Sequence, residues 1–514
     1  MEYPTLLNFP LLPCAAAAAV IAIIAIYCAA LRRSRRSDLP GPIGLPIVGN
    51  LPFLHPELHS YFARLAAAHG PIFRLRLGSK LAVVVSSPAL AREILRDNDA
   101  VFANRDVPAA ARVIAYGGAD IVWSGNGPTW RMLRRVCVSQ LLSPSSLDSY
   151  YHLRRRELRS AIRHLYDAAV AGESVGVGTE MFVAVMNTVT GMLWGGTVGE
   201  EERSGLGKEF RELVGQITAL LGRPNVSDFF PALRRLDLQR VDGKMRVMLE
   251  KFDGIFARII EKKRRLEKND EGNLKEEDFL GYMLRMEEEG DQKKEPFTMT
   301  HVKALLMDMV VGGTDTSSNT VEFALAEMMN RPEIIKRAQE ELDQVVGKDN
   351  VVEESHLSKL HYLNMVIKEV LRLHPSLPLL VPHCPSSSCA IGGYTVPQGS
   401  RVFINIWAIH RDPTLWEDPL EFRPERFDEA EGKWDYAGND FSYLPFGSGR
   451  RKCAGITMGE RMVAYSLASL LHSFDWKLPA GTKHDLTEKF GIVLKKAKPL
   501  VAIPVPRLSQ EFYS

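Results

Sequence analysis

The sequence predicts a mainly helical body with small β-sheets, an α+β arrangement in one large domain, tethered by a single apolar segment at the amino terminus. Three observations predict it. Apolar residues recur at helical spacing over residues 148–171, 244–269, 301–330, 332–346, 359–373 and 455–474. Strand-like runs are short and few: Arg74-Leu-Arg-Leu-Gly followed by Leu81-Ala-Val-Val-Val reads as a hairpin, and further runs stand at 390–396, 401–406 and 492–504. No period of 20–50 residues recurs, which excludes a solenoid.

Each element has its local reason. Pro332 follows Asn330-Arg331 and fits the first turn of its helix, where its missing N–H costs nothing. The stretch 261–295 is charged and loses apolar periodicity after Asn269, so it reads as a solvated helix end and loop. The chain is 46% hydrophobic and 25% charged, enough to bury a substantial core. Lys and Arg number 64 against 62 Asp and Glu, and without the four arginines and Glu2 of residues 1–36 the count is 60 against 61. So neutral a body gives no argument for nucleic acid as a partner. The six cysteines, at 14, 28, 137, 384, 389 and 453, form no CxxC pair and no disulfide framework.

No charged side chain occurs from Tyr3 to Leu31, and residues 11–31 are almost wholly apolar. At helical rise that suffices to cross about 30 Å of hydrocarbon. Arg32, Arg33, Arg35 and Arg36 end the run, and such a cluster resists translocation, which leaves the rest of the chain cytosolic. A cleaved signal peptide would carry its basic residues before the apolar run, not after it. Residues 1–31 are therefore expected to be a luminal tip and single-pass anchor, 32–50 a basic and proline-rich linker, and 51–514 one folded body. Pro40, Pro42 and Pro46 stiffen the linker.

The most specific signal is Phe446-Gly-Ser-Gly449-Arg-Arg451-Lys-Cys453-Ala-Gly455, which opens a helix at Ile456. A thiolate that binds haem iron must be deprotonated, hydrogen-bonded at sulfur and carried on a loop flat enough to lie under a porphyrin. Glycines at 447, 449 and 455 allow tight turns and close approach. Backbone N–H groups at the start of the following helix stabilise the sulfur's charge. Arg451 is placed to bond a haem propionate, and Phe446 to pack beside the sulfur and exclude water.

In this loop the sequence resembles the cytochrome P450 family, and the resemblance extends from the anchor to the last strands. It implies haem b with Cys453 as axial iron ligand. It also gives Gly312-Gly-Thr314-Asp315-Thr316-Ser317 a role. Two adjacent glycines weaken a helix by about 1 kcal/mol each, so they need a reason; in the family they let the helix bulge and admit dioxygen. Asp315 and Thr316 are then the proton relay. Trp130 and Arg134, four apart on one helix, become propionate donors, joined by His383 and more weakly by Arg105. Glu369, Arg372 and Arg426 become a buried structural network, not catalysts.

The implied chemistry is RH + O2 + NADPH + H⁺ giving ROH + H2O + NADP⁺. The chain has no Rossmann fingerprint, and Gly176-Val-Gly178 is only a fragment of one, so electrons from NADPH must arrive through a partner, NADPH–cytochrome P450 reductase at the endoplasmic reticulum membrane. Arg131, Arg135, Arg450 and Lys452 are expected to face it. Val310-Val-Gly-Gly-Thr-Asp-Thr and Pro378-Leu-Leu-Val-Pro-His383 are similar to plant members of specialised metabolism, a group with cadinene hydroxylases and some flavonoid hydroxylases. The segments expected to line the pocket, 109–115, 309–316, 377–380 and 490–493, are almost wholly apolar, with Arg112 the one charged exception once Asp315 is assigned to the relay. That favours an apolar small molecule, with a sesquiterpene first and a flavonoid aglycone as the alternative. Readings of another class are a reductase-independent isomerase or dehydratase and a non-enzymatic haem carrier.

Overall fold

The computed structural model describes residues 39–195, 200–269, 278–289, 296–428, 434–483 and 485–513, with Ala22 alone before them. The expected anchor lies outside the described residues. Among the described residues no helix is long and apolar enough to cross a membrane.

The long helices form where the apolar spacing places them: Tyr151–Ala171, Val241–Asn269, Met299–Met329, Pro332–Val345, His361–Leu373 and Ile456–Ser473. Gly172 takes φ +69° and closes the first of these, as a left-handed C-cap requires. Helix Met299–Met329 is the axis of the fold. Its carboxyl-terminal third, Val321 to Met329, is buried on every face, so it is enclosed by other helices and not amphipathic. Val370 and Leu467 from neighbouring helices share the largest apolar core with it.

Further helices form at Pro128–Val136, which carries Trp130 and Arg134, and at Val177–Trp194 and Glu200–Leu221. The charged stretch after Asn269 is not all loop. Helix Phe279–Glu288 buries Phe279, Leu280, Met283 and Leu284, and the Asp278 carboxylate caps it by accepting the Gly281 N–H at 3.0 Å. Four apolar residues within ten were diluted in sequence by the acidic residues around them.

The sheet that positions the site has three strands. Ile72–Leu77 pairs antiparallel with Lys80–Val85, which pairs parallel with Arg401–Ile404. His383 and Val402 exchange backbone hydrogen bonds of 2.8 Å in both directions, so the sheet carries the segment before His383 into the interior. The proline-rich segment lies along the first strand: Arg74 N–H donates to the Pro40 carbonyl at 2.8 Å and Asn50 N–H to the Arg76 carbonyl at 2.6 Å.

Glu369 and Arg372 are fully buried and bonded at 2.7 and 2.8 Å, and Arg426 Nε reaches the same carboxylate at 3.0 Å. The pair fastens helix His361–Leu373 to the loop that precedes the cysteine segment, because Arg372 also donates to the carbonyls of His410, Pro419 and Glu421.

Candidate active site

The cysteine loop is built on one backbone hydrogen bond and one close approach. Cys453 N–H donates to the Phe446 carbonyl at 3.0 Å. Gly449 has φ +67°, and a Cβ there would fall 2.0 Å from the Leu95 carbonyl oxygen, so no other residue fits without moving the backbone. The Gly455 N–H points at the Cys453 sulfur, 3.4 Å away. Cys453 lies deep in the body yet keeps accessible surface, because it faces a cavity. Burial pushes its thiol up, against the Gly455 N–H, Arg134 and Lys452, which favour the thiolate. The protein alone therefore leaves the sulfur protonated, and a bound cation is what would release the proton.

The cavity has a volume of about 350 Å³. Gly312 and Thr316 of helix Met299–Met329 line it together with Cys453 and Gly455. A Cβ placed on Gly312 or on Gly455 would meet nothing within 4 Å, so both glycines border open space. Helix Met299–Met329 stays α-helical through the glycine pair, without the expected bulge. Thr314 and Thr316 instead return their hydroxyls to the Val310 and Gly312 carbonyls, at 2.8 and 3.1 Å. Asp315 is not on the cavity wall. It is buried behind it, with Lys495 Nζ at 2.6 Å and the Thr218 hydroxyl at 3.1 Å from its Oδ2.

Arg105, Arg134, Arg451 and His383 line one edge of the same cavity. Their donors go to backbone oxygens: Arg105 to Val381 at 2.6 Å and Val122 at 3.2 Å, Arg134 to Lys452 at 2.5 Å, Arg451 to Ala103 at 2.7 Å and Ile121 at 3.2 Å. Among the described residues none of the three has a carboxylate within ion-pair distance. Burial holds Arg105 well below its usual range and Arg451 at about 10. Burial, helped by the charge of Arg105, lowers His383 to about 3, so it stays neutral. Asp120 acts on Arg105 and Arg451 only from beyond ion-pair distance, and one carboxyl against three guanidiniums leaves this edge an anion site. A group bearing two carboxylates and a metal that takes a thiolate fits it, as haem does. Trp130 does not line the cavity: its indole N–H donates to the Ile121 carbonyl at 3.1 Å, and its ring lies 4.3 Å from the Arg451 guanidinium carbon. Phe446 lines the cavity beside the cysteine.

Away from that edge the wall is apolar, with Ile114, Val122, Val189, Leu221, Leu377 and Val493. Arg112 is not part of it and donates to the Val107 carbonyl. Sequence reasoning missed two acids that are part of it, Asp120 and Asp308. Asp308 had a signal: it is the one charge in an apolar run from Ala304 to Val311.

Comparison with known proteins agrees with this geometry. The cytochrome P450 family profile matches residues 39–503. A flavonoid 3'-monooxygenase of Crocosmia x crocosmiiflora is 42% identical, over 92% of this chain and 93% of its own. A geraniol 8-hydroxylase of Swertia mussotii is 38% identical, over 94% and 97%. A zebra fish cytochrome P450 solved with progesterone superposes with a TM-score of 0.73 at 25% identity, covering 87% of this chain and 99% of that one. Several of the relatives are flavonoid 3'-monooxygenases, which moves the preference from the expected sesquiterpene to the flavonoid alternative. A cysteine and a glycine-flanked helix facing one cavity, a buried cation edge and a family match over nearly the whole length have one reading in common: the chain belongs to the plant cytochrome P450 family of haem-thiolate monooxygenases.

Proposed function

We propose that the protein hydroxylates an aromatic ring of a flavonoid-type substrate at the endoplasmic reticulum membrane, with electrons delivered by NADPH–cytochrome P450 reductase. The observation that carries the reading is the apolar wall opposite Cys453, taken with the flavonoid 3'-monooxygenases among the relatives. Haem, when bound, supplies dioxygen activation. The chain's own residues do the rest. Cys453 would ligate the haem iron, its sulfur charge held by the Gly455 N–H. Arg105, Arg134, Arg451 and His383 hold the carboxylates, and Trp130 supports the two nearest guanidiniums through its ring. Phe446 and Gly455 shape the sulfur side. Thr316 lines the cavity and its hydroxyl passes a proton on, while Asp315, a carboxylate paired with Lys495, relays a proton taken up from solvent once that pair opens. Residues 1–31 anchor the chain.

A terpenoid alcohol is the second reading, favoured by the geraniol 8-hydroxylase relative and by the same apolar wall. Product analysis after co-expression with reductase, with naringenin and geraniol fed together, tests both. A hydroxylated flavanone is expected. Turnover of geraniol alone selects the second reading, and turnover of neither rejects both.

A further inference from the structure

The distal wall is not uniformly apolar. Asp120, in the loop before helix Pro128–Val136, and Asp308, one turn before Gly312, both line the cavity. The two carboxyl groups are neighbours, since Asp308 accepts the backbone N–H of Ile121, the residue that follows Asp120. Asp120 Oδ1 accepts the N–H groups of Trp123 and Ser124 at 3.0 Å each. Its Oδ2 is buried and has no donor among the described residues. Asp308 Oδ2 accepts the Ile121 N–H at 2.8 Å, which ties the loop to the helix. Asp120 is 1% exposed, whereas Asp308 keeps accessible surface although it is deep in the body, and that surface opens into the cavity.

Arg105 and Arg451 favour the charge on Asp120, and beside that charge a second buried carboxylate is disfavoured, so Asp308 keeps its proton and shares it with Asp120. Burial raises both, Asp120 to about 6 and Asp308 well up. The pair thus holds an O–H and a carboxylate oxygen side by side, whereas the Thr316 and Thr218 hydroxyls on the same wall are already donated to Gly312 and to Val214 and Asp315.

We infer that Asp308, with the proton it shares with Asp120, is the polar anchor that recognises a carbonyl or hydroxyl oxygen of the substrate and selects oxygenated skeletons over hydrocarbons. This rests on the proposed substrate class and deepens it. A site built to hydrogen-bond an oxygen discriminates far more strongly than an apolar pocket does. A helix–loop strut alone would leave selectivity unmoved when removed.

The test is a substrate-by-variant cycle on the haem-loaded full-length protein, read as the spin-state shift on binding. The probes are naringenin against unsubstituted flavan, and geraniol against its hydrocarbon 2,6-dimethylocta-2,6-diene. From wild type to Asp308→Leu, the affinity ratio of oxygenated to bare member should fall about tenfold or more, the worth of one hydrogen bond to a charged group. Asp308→Asn keeps both a donor and an acceptor and should lose less; it also serves if the leucine variant fails to load haem, and there a fall of about threefold is the expected sign. A ratio unchanged within about twofold in both variants overturns the anchor and leaves the proposed function standing. No shift by wild type with any of the four probes overturns the proposed function itself, and the anchor with it.

Discussion

Two clusters of buried guanidiniums lie on either side of the cysteine loop, and they are solved differently. Arg372 and Arg426 share the Glu369 carboxylate, which also accepts the Arg423 N–H at 2.8 Å. Arg105, Arg134 and Arg451 donate to carbonyl oxygens, with the Asp120 carboxyl acting on Arg105 and Arg451 only from beyond ion-pair distance. Carbonyls satisfy donors but leave charge uncompensated, and uncompensated buried charge is costly. The first cluster is complete within the chain and so is structural. The second is complete only with an anion from outside, and so is a binding site. Even the neighbouring histidines follow suit: His410 beside Arg372 and His383 beside Arg105 are both kept neutral, near about 3, chiefly by burial.

The hardest way to break the comparison is to remove the shared carboxylate. Glu369→Gln strands Arg372 and Arg426 and should cost about 3–5 kcal/mol, seen as loss of folded protein or a large drop in Tm. Arg451→Ala should leave the Tm of haem-free protein unchanged or slightly raised, because it removes repulsion. Equal destabilisation by both changes would erase the distinction.

Haem retention sharpens the same contrast. Arg451→Ala removes one charge-assisted partner, worth about 1.5–3 kcal/mol, so haem transfer to an acceptor globin should be about 10–100-fold more favourable. Arg423→Ala, an exposed member of the first cluster's rim, should not change it. Retention unaffected by Arg451→Ala would mean that the cation edge binds something else.

Acid titration separates the histidines next. A histidine whose folded pKa is depressed contributes stability that is full above its unfolded value, about 6.5. That stability is lost as pH falls through the window toward about 3. Each contributes a slope of up to about 1.4 kcal/mol per pH unit below 6.5. His410→Gln can still accept the Leu444 N–H, which His410 Nε2 takes at 2.9 Å, and should flatten the acid limb by one such slope. Urea titrations of haem-free protein at pH 6.5 and 5.5 measure it; an unchanged limb would show that His410 is charged when folded.

What was legible in the sequence divides along the same line. The cysteine loop could be read because its chemistry is local: glycines, arginine and cysteine lie within ten positions, and Gly449 meets Leu95 as its lack of a side chain suggests. The long helices could be read because their apolar residues recur at helical spacing over several turns. Helix Phe279–Glu288 could not, since its apolar run is only about two turns long and is flanked on both sides by acids. The relay was read as two neighbours acting together, yet one residue along a helix is a turn of about 100°, which puts Thr316 on the cavity and Asp315 against Lys495. The pocket was read as apolar because Asp120 and Asp308, 188 positions apart, meet only when the loop folds onto the helix. Spacing carries local constellations well and long-range ones not at all.

The smallest expected effect lies on helix Pro128–Val136, which turns one arginine inward and two outward. Arg134 reaches the Lys452 carbonyl at the cavity edge, while Arg131 and Arg135 are exposed. The inner one is desolvated, so it acts at short range and salt barely screens it. The outer two are solvated and act only through their field, which falls off within about 10 Å at 0.1 M salt. In the proposed complex with reductase they would steer an acidic face toward the cysteine side of the fold, beside Lys452, whose Nζ donates to the Ala437 carbonyl at 3.2 Å. Steering changes encounter rate and leaves the bound cofactor alone. Arg131→Ala with Arg135→Ala should therefore slow reductase-driven turnover a few-fold at low ionic strength and converge with wild type at high salt, with the CO-bound spectrum unchanged. Turnover insensitive to salt in both proteins would move the docking face elsewhere. A loss of haem in the double variant would mean that the outward arginines belong to the inner cluster after all.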